Sequence, residues 1–494
     1  MSPSPSQVPP PALPSTTLTA NSLGVPGIVF LVLAAVAPLT GIIVIACLGI
    51  ALGNGGGMTG SFVLVAAALL LFAVGYARMA RETVHAGGFY AFVLKGLGRR
   101  AALVAAVTAL LGYNLFVAGA VGTTGFFFGT VVEQLTGISV HWFAWSLVTV
   151  LLAAALTRRG VAFSARVLGV SLVLEVLVLV VFDVSVLLRT GFSPEVWSPA
   201  TVVGPGLGLG LLFAANAFIG VEATGLFSEE ARDPVRTVPR ATYLAVGIIG
   251  VFAAVTVWAI VSATGVARAQ QTAQDHLATG DLVFSLSRQY LGTALTDVMM
   301  LLLLVSLFAA LMALHNSACR YLFSLGRVGV LPRTLGRVSS RGVPQRASTT
   351  QFAFATLVAA AFWVAGTDPI TTLVPAMTGS GTLGILCLQV MAAAAVVVHF
   401  RRRGDRRWWS TAVAPGLGFC ALSGIVVLAV ANFPTMAGSD SPVVAALPWL
   451  YAAAALVAVV WGSLLRRRAP RVWAGLSQDL EADDVRETPV EPVR

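Results

Sequence analysis

The sequence predicts an all-α polytopic membrane protein of twelve transmembrane helices. Three observations carry that reading. The 494-residue chain is 57% hydrophobic and only 11% charged, against about 25% charged residues in a soluble domain. Twelve apolar runs each approach or exceed the ~20 residues that a spanning helix needs. The 31 basic residues alternate by loop: all but Arg189, Arg268 and Arg288 fall on one side of a twelve-span arrangement. The positive-inside rule makes that side cytoplasmic, with both termini on it, and the cell membrane the expected location. The net charge of +10 is then a matter of topology, and no nucleic-acid partner is implied.

The elements follow in order. Residues 1–24 are rich in Pro, Ser and Thr and lack Lys and Arg. They predict a disordered cytoplasmic tail, not a signal peptide with a basic head. Runs at 25–52, 58–79, 101–130, 141–157 and 161–188 form the first five spans. Runs at 206–228, 240–265, 293–324, 347–366 and 369–399 form the next five, and 409–433 and 443–465 the last two. Only Gly366-Thr367-Asp368-Pro369 separates the ninth from the tenth. The outer loop 267–292 is the longest, and 272–290 reads as one amphipathic helix lying on the outer surface. Residues 469–494 form a cytoplasmic tail, acidic from Ser477 onward and read as disordered. Cys47, Cys319, Cys387 and Cys420 sit in apolar stretches at no ligand-like spacing, so no disulfide framework, metal site or cofactor is expected.

Two spans are interrupted. The sixth carries Asn216, Phe218, Ile219, Gly220 and Glu222 in apolar surroundings. A carboxylate at bilayer depth costs about 2.5–3.5 kcal/mol on insertion scales, so it faces a cavity or a polar partner. Gly220 beside it lets the backbone leave helical geometry. The first span carries Ala37, Pro38, Leu39, Thr40 and Gly41, where Pro38 removes one backbone donor. A plain proline kink and an unwound binding segment both fit Pro38 alone. Interruptions five spans apart favour the second, as paired broken helices of two inverted repeats, 25–188 and 189–399, followed by two helices in 400–468. These ten residues are the candidate substrate-binding set.

Other polar residues lie within spans. Tyr113 and Asn114 in the third, and His315 and Asn316 in the eighth, are candidates to line the site; interhelical hydrogen bonding is the alternative role for the first two, and a satisfied packing residue or a proton relay the alternatives for His315. Glu175 and Asp183 are eight residues apart, on one face of the fifth span. Glu175, between Leu174 and Val176, is the candidate for proton coupling, because a carboxyl in apolar surroundings can exchange a proton; a structural hydrogen bond is its alternative. Asp183 reads as the more solvated of the two, nearer the outer end.

The motifs carry a resemblance. Phe218-Ile-Gly-Val-Glu222, followed by Glu229-Glu230, Asp233-Pro234, Arg236 and Pro239, resembles the sixth-helix signature of the amino acid–polyamine–organocation superfamily of permeases. Arg320-Tyr-Leu-Phe-Ser-Leu-Gly-Arg327, then Pro344-Gln-Arg346-Ala347, resembles its loop after the eighth helix, and Gly87-Gly88-Phe89-Tyr90 its segment after the second. The resemblance implies a LeuT-like five-plus-five fold with two C-terminal helices, and secondary active transport of amino acids or related amines. Leu39-Thr40-Gly41 keeps two of three positions of the family's first-helix signature. The family's fifth-helix lysine, which serves coupling in proton-driven members, is absent: Lys95 is the only lysine, and Glu175 stands near the lysine position.

The expected function is alternating-access amino acid transport, as a proton symporter. A transporter or exchanger of polyamines or basic amino acids is the alternative, and a channel or a non-transporting receptor stands behind it. No zinc-protease helix, phosphate loop or nucleophile elbow occurs, so no enzyme is expected. The substrate's ammonium is expected at carbonyls near 218–222, and its carboxylate at amides near 38–41, where a half-helix N-terminus presents its dipole. The expected partners are the bilayer, the amino acid and a coupling proton.

Overall fold

A computed structural model describes residues 24–82, 88–159, 165–226, 231–339, 342–436 and 441–476. The two tails read as disordered therefore lie outside the described residues, except for Gly24 and 469–476. So do Gly87, Glu229 and Glu230 of the motifs.

The described residues are helical and contain nine stretches long and apolar enough to cross a membrane, with two shorter apolar helices beside them. α1 is Val25–Val36, and the helix resumes at Pro38 after a break. Regular geometry fails again at Gly53 (φ −110, ψ −117) and Gly55 (φ 51). α2 then runs Met58–Glu82, α3 Phe89–Leu97, α4 Arg99–Thr136, α5 Trp142–Arg158 and α6 Ala165–Thr190. The sixth apolar run is divided: α7 is Leu207–Asn216 and α8 is Ala223–Leu226. α9 (Pro234–Thr264), α10 (Ala269–Asp275), α11 (Leu282–Leu291), α12 (Thr293–Val328), α13 (Gln345–Val364), α14 (Val374–Arg402), α15 (Ala414–Ala431) and α16 (Trp449–Arg468) complete the order.

Local chemistry sets several ends. Asp233 caps α9, its carboxylate accepting from Arg236 N at 3.3 Å, with Pro234 in the first turn. Asp368 accepts from Ile370 N and Thr371 N, both at 3.0 Å. That cap starts the tenth run and explains why so short a separator suffices there. Gly137 (φ 76) ends α4 in the left-handed conformation.

Outward faces carry aliphatic side chains open to the surroundings, such as Leu151, Leu188, Leu357 and Val427, as a bilayer requires. The interior is packed through small residues. α4 and α14 approach so closely that a Cβ on Gly381 would lie 2.6 Å from Phe116 Cβ, and one on Gly112 3.3 Å from the Gly381 carbonyl oxygen. This pair forms one wall of the interior. The glycine-rich segments Gly53–Gly57 and Gly204–Gly210 meet each other. A Cβ on Gly206 would lie 2.1 Å from the Gly53 carbonyl oxygen, and one on Gly53 2.9 Å from Gly210 N.

The loop 267–292 departs from expectation. It forms two helices, α10 and α11, in place of one amphipathic helix. Gly280 (φ 64) turns the chain between them. The helices are also part of the packed body: Ala269, Ala273, Val283 and Phe284 are buried. Gln274 Nε2 donates to the Ala51 carbonyl at 3.0 Å, and Gln270 Nε2 to the Ala51 and Gly53 carbonyls at 3.4 Å. This ties the loop to the end of the first run.

Candidate functional site

The first break is at Ala37. Its φ of 52 makes it the sole described non-glycine residue in the left-handed region, a conformation that costs an L-residue about 1–3 kcal/mol and persists where surroundings enforce it. Pro38 has no N–H to give the Ala34 carbonyl. The Leu39 amide is diverted: it donates to Glu175 Oε2 at 3.4 Å. The carbonyls of Ala34 and Ala35 thereby lose the partners a continuous helix would supply.

Glu175 is buried, and three groups donate to its carboxylate. Besides Leu39 N, Ser306 Oγ lies at 2.8 Å from Oε2 and Ser171 Oγ at 3.0 Å from Oε1. Thr40 Oγ1 donates to Ser306 Oγ at 3.1 Å. The fifth span, the eighth span and the first break are thus joined through one carboxylate.

The second break runs from Ala217 to Glu222. Phe218 N donates to the Ala215 carbonyl, Ile219 N to Asn216 and Val221 N to Phe218, three-residue steps that replace the helical pattern. Gly220 adopts φ 113, where only glycine is at ease. Glu222 turns back on its own chain: Oε2 accepts from Gly220 N at 2.9 Å, and Oε1 from the Tyr113 hydroxyl at 2.6 Å. Tyr113 stacks on Tyr321, centroids 5.4 Å apart. The two breaks abut: a Cβ on Gly41 would lie 3.8 Å from Ala217 Cβ, and one on Gly220 3.3 Å from Val36 Cγ2.

A cavity of about 50 Å³ lies where they meet. Ala35, Val36, Thr40, Gly41 and Ile45 line it from the first run, and Asn216, Ala217 and Ile219 from the sixth. Phe116, Ala120, Thr123 and Thr124 of α4, Leu307, Ala310 and Leu314 of α12, and Thr378 of α14 close it. No charged side chain lines it. The amide nitrogen of buried Asn216 has no hydrogen-bond partner among the described residues.

The candidates therefore divide. Thr40, Gly41, Asn216 and Ile219 reach this cavity. Pro38 faces a second, almost wholly apolar cavity of about 60 Å³ shared with α6 and α9. Phe218 and Glu222 border a third of about 20 Å³, with Tyr76, Thr224, Thr242 and Gln389. Ala37, Leu39 and Gly220 shape the backbone. Asn114 Nδ2 donates to the Leu110 carbonyl of its own helix at 2.7 Å and is not among the cavity lining. His315 is buried between Gln351 and Ser348, with its ring on Phe352 at 3.6 Å, while Asn316 is exposed; Leu314 takes the lining position. Asp183 corrects its reading as solvated: it is only 4% exposed, against Thr256. The lining from α4, α12 and α14 was not anticipated from the sequence. Only a stripe of small and hydroxyl residues at 119–125 signalled it.

A family model described as amino acid permease matches residues 23–461. The chain belongs to the amino acid permease family. The permease is 26% identical over 390 residues to the branched-chain amino acid permease BcaP of Bacillus subtilis, covering 74% of this chain and 78% of that one. It is 26% identical over 330 residues to BcaP of Lactococcus lactis subsp. cremoris, covering 62% and 69%. A methylthioribose transporter of Bacillus subtilis is 26% identical over 315 residues, covering 60% and 66%. The permease is accordingly a multi-pass membrane protein that transports amino acids, within the superfamily its motifs resemble.

Proposed function

We propose that the permease carries neutral aliphatic amino acids of the branched-chain class by alternating access, in symport with protons. The observation that carries the substrate class is the cavity between the breaks. Apart from Phe116 its walls are aliphatic or small, it has no charged lining, its threonine hydroxyls are already paired within the protein, and the Asn216 amide is its unpaired polar group. An aliphatic side chain gains about 0.8 kcal/mol for each CH₂ it buries there, whereas a second ammonium would meet no counter-charge. The BcaP relatives point to the same class. The zwitterionic end belongs at the breaks, with the ammonium toward freed carbonyls such as that of Ala35, and the carboxylate toward the turn that begins at Pro38.

The wider arrangement is part of this reading: twelve spans, repeats at 25–188 and 189–399, two further helices in 400–468, and both termini in the cytoplasm of a cell-membrane protein. Paired breaks in the first and sixth runs and the distribution of arginine support it. In the coupling step, ionised Glu175 accepts the Leu39 amide and holds the first break in place. Protonated, it gives up acceptor capacity and loosens the break.

Purified permease in liposomes should take up leucine saturably, with isoleucine and valine competing and lysine and putrescine failing to compete. Equal competition by lysine or putrescine would overturn the substrate class, and an absence of flux for every amino acid the whole reading. An imposed pH gradient should drive accumulation, which Glu175→Gln should lose while retaining counterflow. Accumulation that persists in the variant reduces Glu175 to a packing residue.

A further inference from the structure

We propose that Asp183 holds a proton in this conformation and is the outer proton-binding residue of the transport cycle. The proposal rests on the proton-symport reading and adds a residue to it. Asp183 lies near the Thr190 end of α6 and is 4% exposed. Thr256 Oγ1 lies 2.8 Å from its Oδ2 and 3.1 Å from the Phe252 carbonyl oxygen. Asp183 Oδ1 has no partner among the described residues.

The placement of hydrogens favours one of the two forms. Thr256 has one hydroxyl hydrogen and two acceptors in reach. If Asp183 were a carboxylate, that hydrogen would go to Oδ2, the Phe252 carbonyl would forfeit its contact, and the charge would rest in apolar surroundings on one neutral donor. If Asp183 is the acid, its own hydrogen goes to Thr256 Oγ1 and the threonine hydrogen goes to Phe252, so every hydrogen is placed.

Glu175, two helical turns away on the same face, is built the opposite way, with three donors converging on a carboxylate. Among the described residues no other charge serves Asp183. Its helix packs against α1, the turn at Pro38, α9, α11 and α12. α1 and that turn carry no titratable group. Arg236, Arg240 and Tyr243 belong to the opposite end of α9. On α11, Arg288 bonds to Gln134 at 3.0 Å, and Tyr290 lies near its end. On α12, Asp297 is near the start, and His315, Cys319, Arg320, Tyr321 and Arg327 lie in its second half. On the same helix, Arg189 is exposed. None of these forms a hydrogen bond or ion pair with Asp183.

The chemistry is proton exchange alone. Outside, the Asp183 carboxylate takes a proton and becomes the acid. Passing it inward leaves Asp183 the carboxylate and Glu175 the acid. The helix rise between them is about 12 Å, so water admitted as the spans part has to carry the proton.

The test uses full-length permease in liposomes. Infrared difference spectra should show the carbonyl stretch of a protonated carboxylic acid that Asp183→Asn removes; no lost band overturns the proposal. Under a pH gradient the wild type should accumulate leucine, and Asp183→Asn should lose accumulation but keep counterflow. Accumulation retained in the variant overturns this proposal alone. Wild-type uptake indifferent to the gradient overturns the symport reading and this role together. If Asp183→Asn loses counterflow as well, Thr256→Val decides: the pH of half-maximal uptake should move by about half a unit or more, the scale of one hydrogen bond. An unmoved midpoint overturns the proposal.

Discussion

The Tyr113 hydroxyl and Glu222 Oε1 are 2.6 Å apart, joined by a hydrogen bond between the third apolar run and the broken sixth. Because the other carboxylate oxygen takes the Gly220 amide, the acid is spent on its own backbone and one tyrosine. Tyr113→Phe should leave a buried acceptor unpaired and cost about 1–3 kcal/mol. Thermal unfolding of the purified permease should fall, and uptake should lose rate more than affinity. Unchanged unfolding would show that the contact contributes nothing.

Asn216 presents an unpaired amide to the cavity. Asn216→Ala should raise the KM for leucine about tenfold, equivalent to about 1.4 kcal/mol, with the fold intact by size-exclusion chromatography. Ala310→Phe, which fills the cavity, should abolish leucine uptake in protein that is still monodisperse. Uptake kinetics on both variants test the placement of the substrate.

Gly220 is held at φ 113, with Val36 3.3 Å from where a Cβ would stand. Gly220→Ala should add both backbone strain of about 1–3 kcal/mol and a contact against the first break. Transport should slow at saturating leucine. Wild-type turnover in this variant would mean that the break relaxes freely.

Asp281, between α10 and α11, titrates outside the spans. Its partial burial works to raise its pKa, but hydrogen bonds from Thr279 and His276 hold the group below the usual aspartate range. A depressed carboxylate contributes stability that is present above the unfolded value of about 3.9 and is lost as pH falls through the folded one. Loop fastening should therefore hold from neutral pH down to about 4 and fail below it. Proteolysis of the outer loop in liposomes, followed against pH, should show that onset, and Asp281→Asn should remove it.

Both breaks were legible because each has a local cause: Pro38 lacks a donor, and Gly220 permits a backbone that other residues resist. Glu175 was visible as an acid in an apolar run, but its partners Leu39 and Ser306 lie 136 and 131 residues away in sequence, and no periodicity reports such a distance. Asp183 was misread for the same reason. A helix face shows in sequence, but the Thr256 that covers it does not. The cavity walls at Ala120, Ala310 and Thr378 are ordinary small residues of membrane helices, given their role only by packing.

The meeting of Gly53 with Gly206 and Gly210 has a mechanical consequence. The end of the first run and the start of α7 touch backbone on backbone at Gly53 and Gly206, with the Asn54 and Ser61 side chains packed against Gly210. A seam of that kind tilts as one lever and tolerates no enlargement at its fulcrum. With Gln270 and Gln274 fastened to the Ala51 and Gly53 carbonyls, these two half-helices and the loop 267–292 are joined as one unit. In the proposed alternating-access cycle, opening on that side would swing this unit against the α4–α14 wall, with the halves beyond Ala37 and Gly220 left to move separately.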